Sequence, residues 1–313
     1  MSILLAISGW EPDTWLERFR AHAGKREIRL APDVGDPAAI RYVCAWKPAT
    51  GLLGKLPNLR AIFSLGAGVD HLLRYPSLPD VPIVRIVDPD LTMRMTEYVV
   101  LHVLLHHRRM KLYGAEQAAG AWRDHGDPPA SDVRVGIMGL GVLGQAAAAV
   151  LAPLGFRLAG WSRTEKRVPG VDTYWGEKGL NAFLAQTDIL VCLLPLTTDT
   201  RGILRRDLFR GLARDGALGG PSLINAGRGG LQFETDILAA LDDGTLTGAS
   251  LDVFETEPLP AESPLWSHPK IYITPHNAAQ SDPRALTKYV IAQIERDERG
   301  LPLENVVDRK LGY

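Results

Sequence analysis

The sequence predicts an α/β protein built from two doubly wound parallel-sheet domains with a cleft between them. Three observations support this fold class. The chain has 313 residues, which is long for a single hydrophobic core. Apolar, strand-like runs alternate with helical stretches along the chain, as is typical of parallel sheets. The alternation is interrupted at 120–132, where Gly, Pro, Asp and Ser form a loop or linker.

Before this interruption, short apolar runs predict the parallel sheet of a first domain. A helix is expected over 13–23, and a longer helix begins near Thr92, with apolar residues at helical spacing on one face. The predicted strands of this domain are 3–8, 27–30, 42–46, 61–65 and 83–87.

After the interruption, a second series of strands and helices forms a complete doubly wound unit. A last helix, over about 283–299, is expected to cross back onto the first domain. We therefore expect a substrate domain at 1–100, completed by 282–313, and a cofactor-binding domain at 101–281. The predicted strands are 133–138, 158–161, 189–194, 222–225, 248–253 and 271–274, and the predicted helices are 145–154, 180–187, 201–211 and 234–243.

Composition and charge exclude several functional classes. The chain is 46% hydrophobic and 23% charged, with a formal net charge of -1, so nucleic acid and an anionic membrane are not expected partners. No apolar run approaches the roughly 20 residues that span a bilayer, and the N-terminus resembles a first strand rather than a signal peptide. Cys44 and Cys192 lie in apolar runs and are expected to be free, buried thiols. We expect a cytoplasmic protein without a metal ion.

A glycine-rich turn is placed where a dinucleotide-binding turn would be. Gly139, Gly141 and Gly144 satisfy G-x-G-x-x-G between a predicted strand and a predicted helix. The first glycine permits a tight turn, the second lets the backbone approach a pyrophosphate, and the third allows close helix–strand packing. The alternative is a turn that binds nothing. Its position favours a Rossmann unit that binds a dinucleotide.

The tip of the next strand distinguishes NADPH from NADH. An acidic residue there would bind the ribose 2′-hydroxyl, but this chain has Ser162, Arg163 and Thr164. A guanidinium and two hydroxyls suit a 2′-phosphate, which a carboxylate would repel. A solvated basic loop is the alternative. The tip favours NADPH, with NADH possible at lower preference.

Three polar residues follow successive strands of the same unit. His276 follows one predicted strand and can supply the proton that keto reduction requires, since a neighbouring carboxylate favours its charged form. Glu257 is the candidate partner, with Glu255 as a rival. Arg228 lies between two glycines, and its planar fork can hold a carboxylate and the adjacent keto oxygen together. Each residue alone is more often a surface ion pair or a loop residue, but together they predict an active site.

With these segments in place, the chain resembles the D-isomer-specific 2-hydroxyacid dehydrogenase family over essentially its whole length. Within that family it is most similar to the glyoxylate/hydroxypyruvate reductase A branch, on the basis of Trp161-Ser-Arg-Thr, the segment 258–266 and the C-terminal segment 307–313. The matching segments are 66–70, 139–144, 194–202, 225–230, 251–258 and 274–276.

The resemblance implies a Rossmann cofactor domain and a flavodoxin-like substrate domain that close over the substrate, and a homodimer formed through the cofactor domain. It implies Arg228 as the carboxylate and carbonyl binder, His276 as the proton donor and Glu257 as its orienting partner. The implied substrate-binding residues are Trp46, Gly66, Ala67, Gly68, Arg228 and His276. The cofactor-binding residues are expected to be Gly139, Gly141, Val142, Leu143, Gly144, Ser162, Arg163, Thr164, Leu194, Pro195, Thr200, Ala226, Gly227, Arg228, Asp252 and His276.

The sequence therefore predicts an oxidoreductase that reduces glyoxylate or hydroxypyruvate to the D-2-hydroxy acid with NADPH. Asn277 and Gln232 depart from the residues usual in the family, which leaves the polarity near His276 and the role of position 232 open. One alternative is a family member acting on a larger 2-keto acid. Another is a dinucleotide-sensing protein resembling the corepressors that share the fold. A formate-dehydrogenase-like protein is disfavoured, because that branch has Gln where this chain has Glu257.

Overall fold

A computed structural model of the chain describes residues 1–313 and confirms the predicted fold class. The chain forms two compact units, each with its own parallel sheet. Unit 1 comprises Met1–Leu91 and Gln280–Tyr313, and unit 2 comprises Thr92–Ala279. The chain first passes from unit 1 to unit 2 within a long helix, nine residues before the boundary expected from the sequence.

The regular elements alternate along the chain as the sequence suggested. The strands are β1 (Ser2–Ile7), β2 (Glu27–Leu30), β3 (Ile40–Trp46), β4 (Ala61–Ser64), β5 (Ile83–Val84), β6 (Arg134–Met138), β7 (Arg157–Ser162), β8 (Asp172–Trp175), β9 (Ile189–Cys192), β10 (Ser222–Asn225), β11 (Gly248–Leu251) and β12 (Ile271–Ile273). The helices are α1 (Pro12–His22), α2 (Asp70–Leu73), α3 (Pro89–His107), α4 (Met110–Ala118), α5 (Val142–Leu151), α6 (Gly176–Ala185), α7 (Arg206–Arg210), α8 (Glu234–Asp242) and α9 (Pro283–Glu298).

The sheet of unit 1 has the order β2-β1-β3-β4-β5, which is that of flavodoxin-like folds. Both faces are buried: Ile3 and Leu5 pack into one cluster, with α9, while Leu4 and Ala6 pack into the other. The strand order reverses between β1 and β3. Ligands of such sheets bind beyond the strand ends at this reversal, and Trp46 is the last residue of β3.

The sheet of unit 2 has the order β12-β11-β10-β9-β6-β7-β8, with all strands parallel. Its order reverses between β6 and β9, so the turn after β6 and the segment after β9 flank the reversal. The loops after β10, β11 and β12 lie in succession along the same carboxyl edge. This edge therefore gathers the segments that the sequence marked as functional.

Some elements differ from their predicted bounds. The sequence did not predict β8, a short edge strand with no fully buried residue. Helix α5 begins at Val142, within the glycine turn, and α3 begins at Pro89 rather than near Thr92. The helix expected over 201–211 is confined to α7, because 201–205 form a turn stabilised by backbone hydrogen bonds to the segment 230–231.

The two cysteines are free and buried, as predicted from their apolar surroundings. None of the helices has both the length and the apolar composition that crossing a bilayer requires.

Candidate active site

The glycine turn after β6 has the backbone geometry that its motif requires. Gly139 has a φ of +109°, and a Cβ there would lie 2.8 Å from the carbonyl oxygen of Leu193. A Cβ on Gly144 would lie 2.1 Å from the carbonyl oxygen of Gly139. Gly141, in contrast, borders open space and is the N-cap of α5, with no side chain capping the helix. The N-terminal amides of α5, which begins with Val142 and Leu143, therefore adjoin space that an anion can enter.

The residue that follows β7, Arg163, presents a positively charged side chain at the surface. Arg163 and Thr164 are exposed, whereas Ser162 is buried. The Ser162 hydroxyl donates to the carbonyl oxygen of Thr164 at 2.8 Å, so its proton shapes the turn rather than facing a ligand. Of the two hydroxyls expected to bind a 2′-phosphate, that of Thr164 is the exposed one.

The side chain of Thr200 stabilises the turn in the segment after β9 through hydrogen bonds to the backbone. Thr200 Oγ1 donates to the carbonyl oxygen of Pro195 at 2.7 Å and accepts the backbone N–H of Thr197 at 2.8 Å. Leu194 is buried, and its carbonyl oxygen lies 2.9 Å from where a Cβ on Gly227 would stand. The segment after β9 and the loop after β10 are thus in close contact.

The loop after β10 is tied by two buried amide side chains. Asn225 Oδ1 accepts the backbone N–H of Gly227 at 3.1 Å, and Asn225 Nδ2 donates to Gln232 Oε1 at 2.7 Å. Gln232 Nε2 in turn donates to the carbonyl oxygen of Val253 at 2.9 Å, and Gln232 is only 1% exposed. Ala226 is also buried in this loop. The departure from the family at 232 is therefore a buried link between the loops that follow β10 and β11.

The backbone beside Arg228 presses directly against the segment that carries Glu257. A Cβ on Gly229 would lie 1.7 Å from the carbonyl oxygen of Phe254, so any side chain at 229 would force the loops apart. The Phe254 N–H donates to Glu257 Oε1 at 3.2 Å, and Arg228 Nη1 donates to the carbonyl oxygen of Gly227 at 2.8 Å. Gly229, next to Arg228, therefore allows the loops after β10 and β11 to come into direct backbone contact.

His276 and Glu257 form a hydrogen-bonded pair. The distance from His276 Nδ1 to Glu257 Oε2 is 2.8 Å, and the side chains are 33% and 25% exposed. A carboxylate accepts hydrogen bonds, so Nδ1 carries the proton and Nε2 is the nitrogen that remains for a substrate. The rival, Glu255, accepts the backbone N–H of Glu234 at 2.9 Å instead.

Asp252, which is predicted to contact the cofactor, is a buried residue. It is 1% exposed, and its carboxylate accepts the backbone N–H groups of Asn277 at 2.9 Å and Ala278 at 3.1 Å. The N–H of His276 donates to the Asp252 carbonyl oxygen at 2.8 Å. Asp252 therefore holds the loop that carries His276.

In unit 1, Trp46 lies in an aromatic stack at the point where the strand order reverses. Its ring centroid is 4.5 Å from that of Trp10, nearly parallel, and 4.7 Å from that of His71. A Cβ on Gly66 would lie 2.3 Å from the Trp46 ring, so only glycine accommodates the indole over this turn. The indole is thereby fixed against the turn at 66–68.

The turn at 66–68 offers fewer free amides than the sequence suggested. The Gly66 N–H donates to Ser64 Oγ at 3.3 Å, and the same hydroxyl lies within hydrogen-bonding distance of the carbonyl oxygens of Gly66 and Gly68. Helix α2, which follows the turn, has only four residues. Ala67 and Gly68 are partly exposed and remain the amides suited to a carboxylate.

Unit 2 therefore aligns an arginine, a glutamate and a histidine on the loops that follow adjacent strands β10, β11 and β12. This set can bind a carboxylate, orient an imidazole and donate a proton. The sequence did not indicate the buried hydrogen bonds of Gln232, because they depend on contacts between loops distant in the chain.

Comparisons with known proteins show which family the chain is similar to. Residues 100–278 match the family model described as D-isomer specific 2-hydroxyacid dehydrogenase, NAD binding domain. The chain is 42% identical over 304 residues to glyoxylate/hydroxypyruvate reductase A of Salmonella choleraesuis (strain SC-B67), covering 95% of this chain and 94% of that protein.

Among solved structures, two examples are similar over the whole chain. One is the NADPH-dependent glyoxylate/hydroxypyruvate reductase of Sinorhizobium meliloti in complex with NADP and sulfate, with a TM-score of 0.96, 50% identity and coverage of 100% and 99% of the two chains. The other is a probable 2-hydroxyacid dehydrogenase from Rhizobium etli CFN 42 in complex with NADP, HEPES and L(+)-tartaric acid, with a TM-score of 0.94, 46% identity and coverage of 100% and 99%.

Proposed function

The chain belongs to the D-isomer-specific 2-hydroxyacid dehydrogenase family and is an NAD(P)-dependent dehydrogenase, and from this premise we propose that it reduces glyoxylate and hydroxypyruvate to D-2-hydroxy acids with NADPH. The observation that carries the proposal is the 2.8 Å pair of His276 and Glu257 on loops adjacent to that of Arg228. The names of the similar Salmonella and Sinorhizobium reductases support the choice of substrates.

The turn after β6 fits a dinucleotide. Gly141 borders open space at the N-terminus of α5, where backbone N–H groups and the helix dipole favour a pyrophosphate. Arg163, exposed at the tip of β7, is the residue that we assign to the 2′-phosphate, with the Thr164 hydroxyl beside it. NADPH, when bound, supplies the hydride that reduces the keto carbon.

The chain's own residues supply the rest of the reaction. Arg228 holds the substrate carboxylate and the keto oxygen with its planar fork, which orients the keto carbon. His276 donates a proton from Nε2 to the keto oxygen as negative charge develops there. Glu257 keeps the imidazole oriented through Nδ1 and offsets its positive charge. In unit 1, Trp46 and the amides of Ala67 and Gly68 are assigned to the substrate through the resemblance.

A homodimer formed through unit 2 is part of this proposal. Trp122 is fully exposed, and Met110 and Leu112 of the nearby helix α4 are also exposed. Burial of such apolar side chains is a usual driving force for association. Sedimentation velocity on the purified protein measures the oligomeric state directly, and a monomer at micromolar concentration would refute the proposed homodimer.

The function is tested by turnover of a panel of 2-keto acids with NADPH and with NADH. Glyoxylate and hydroxypyruvate should give the highest kcat/KM, with NADPH preferred. His276→Gln should lower kcat by about 10²- to 10⁴-fold while the Kd for NADPH changes little. A higher kcat/KM for a larger 2-keto acid would replace glyoxylate and hydroxypyruvate as the assigned substrates. Cofactor binding without turnover of any member would overturn the reductase assignment.

A further inference from the structure

The loop that carries His276 is held in an unusual backbone conformation. His276 has a φ of +52°, in the left-handed region that side-chain-bearing residues seldom occupy. Its N–H and those of Asn277 and Ala278 all donate to Asp252, at 2.8, 2.9 and 3.1 Å respectively. One buried residue therefore determines the path of three consecutive backbone amides around the proton donor.

The carboxylate of Asp252 is itself held by a directed chain of hydroxyls. Thr274 Oγ1 donates to Asp252 Oδ1 at 2.7 Å. A hydroxyl has a single proton, so the Thr274 oxygen must accept from Tyr98, whose hydroxyl lies 2.9 Å away. Burial raises the pKa of the Tyr98 phenol, which keeps it protonated and able to donate. The order of donation is thus Tyr98 to Thr274 to Asp252.

Tyr98 is fixed by the helix on which it lies. Its ring packs against that of His102 on α3, with centroids 4.1 Å apart and an angle of 33° between the ring planes. His102 Nδ1 and His106 Nε2 lie 2.7 and 2.9 Å from Ser250 Oγ, which belongs to β11. Since Ser250 has one proton to donate, at least one of these imidazoles presents an N–H to it. Helix α3 is thereby fastened to β11, and Tyr98 has little freedom to follow a shifting loop.

We propose that Tyr98 and Thr274 are positioning residues for proton transfer, which act on His276 through the carboxylate of Asp252. Neither residue is assigned to the substrate or the cofactor. Their hydroxyls hold Asp252 where it constrains the loop at 276–278, and this keeps the imidazole in line with Glu257. The inference rests on the proposed function, in which His276 is the proton donor.

Two substitutions that remove single hydroxyls test the inference. Tyr98→Phe and Thr274→Val should each lower kcat for glyoxylate by about tenfold, the effect of one lost hydrogen bond of ordinary strength. The Kd for NADPH should stay within about twofold. Thr274→Ser keeps the hydroxyl and should restore kcat. Tyr42→Phe, which removes a hydroxyl bonded to Asp297 in unit 1, is the matched control and should leave kcat unchanged.

The double variant separates positioning from general loss of stability. Because the hydroxyls act in series, Tyr98→Phe combined with Thr274→Val should lower kcat no further than Thr274→Val alone. Unchanged kcat in both single variants, or strictly multiplicative losses in the double variant, would overturn the inference. A fall in active-site concentration, titrated with NADPH, at constant kcat per site would also overturn it, because this is what a merely structural role predicts.

A measurement without turnover distinguishes failure of this inference from failure of the proposed function. The imidazole resonances of the eight histidines are compared by NMR at fixed pH, with His276→Gln assigning the signal of His276. Thr274→Val should shift the imidazole resonances of His276, and Thr274→Ser should not. An inactive wild-type protein that still shows this change refutes the reductase assignment alone. An active wild-type protein without it refutes the positioning role alone.

Discussion

Acidification should destabilise unit 2 through two histidines of α3, His102 and His106. Burial lowers the pKa of His102 to about 4, and burial together with the neighbouring His102 lowers that of His106 to about 3. Their surroundings are the rings of Tyr98 and Tyr272 and the hydroxyl of Ser250. Both imidazoles are therefore neutral in the native state at pH 7. Protonating either imidazole in the folded protein costs free energy.

The sign and size of the effect follow from proton linkage. Below pH 6.5 the unfolded chain protonates these histidines while the native state does not, so stability is full above pH 6.5 and is lost as the pH falls towards the native pKa values. The loss is about 1.4 kcal/mol per pH unit for each group, hence about 2 kcal/mol for His102 at pH 5. His106 brings the total to about 4 kcal/mol.

Urea unfolding at pH 7 and pH 5 measures this loss in the wild type and in a variant without titratable groups at the two positions. His102→Asn and His106→Gln place an amide where Nδ1 and Nε2 now bond Ser250, so the combined variant should lose about 4 kcal/mol less between the two pH values. Hydrogen exchange in peptides from β11 localises the effect to unit 2. His22→Gln, on α1 of unit 1, controls for the loss of an imidazole. Equal losses in the wild type and the combined variant would refute the reasoning.

The remaining predictions concern cofactor choice, loop contact and substrate size. Arg163→Ala should lower kcat/KM with NADPH by about 10- to 100-fold and leave that with NADH nearly unchanged, and an unaltered ratio would contradict the 2′-phosphate assignment. Gly229→Ala should lower kcat by at least about tenfold, because its Cβ collides with the Phe254 carbonyl oxygen; a crystal structure with both loops in place would count against this. Trp46→Ala should raise kcat/KM for bulkier 2-keto acids relative to glyoxylate, whereas an unchanged substrate ranking would remove Trp46 from the substrate assignment.

The sequence predicted the fold, and marked the segments of the candidate site, where local patterns determine structure. Alternating apolar runs marked the buried parallel strands, whose residues pack on both faces of each sheet. Gly139 and Gly144 were identifiable because close backbone contacts exclude a side chain at both positions. The short edge strand β8 was not predicted, because its sequence lacks an apolar run like those that indicated the buried strands.

The contacts that hold the site together could not be predicted in the same way. Thr274 and Tyr98 are far apart in the chain, and their hydrogen bond depends on how α3 lies against β12. Gln232 looked like a departure from the family pattern, whereas it is a buried link between two loops. Asp252 is a predicted cofactor-binding residue, and the sequence did not indicate that its carboxylate accepts the amides of the loop after β12. Such roles arise from the three-dimensional neighbours of a side chain.

The contact of Gly229 with Phe254 has a consequence for how substrate range can change in this protein. At Gly229 the backbones of the loops that carry Arg228 and Glu257 leave no room for one additional carbon atom, so any other residue at 229 displaces the loop of Glu257. Variation at 229 that preserves activity therefore requires a matched change in that loop. Trp46 of unit 1 takes no part in this contact. Under the proposed function, a library randomised at Trp46 changes the substrate range while Arg228, Glu257 and His276 stay unaltered.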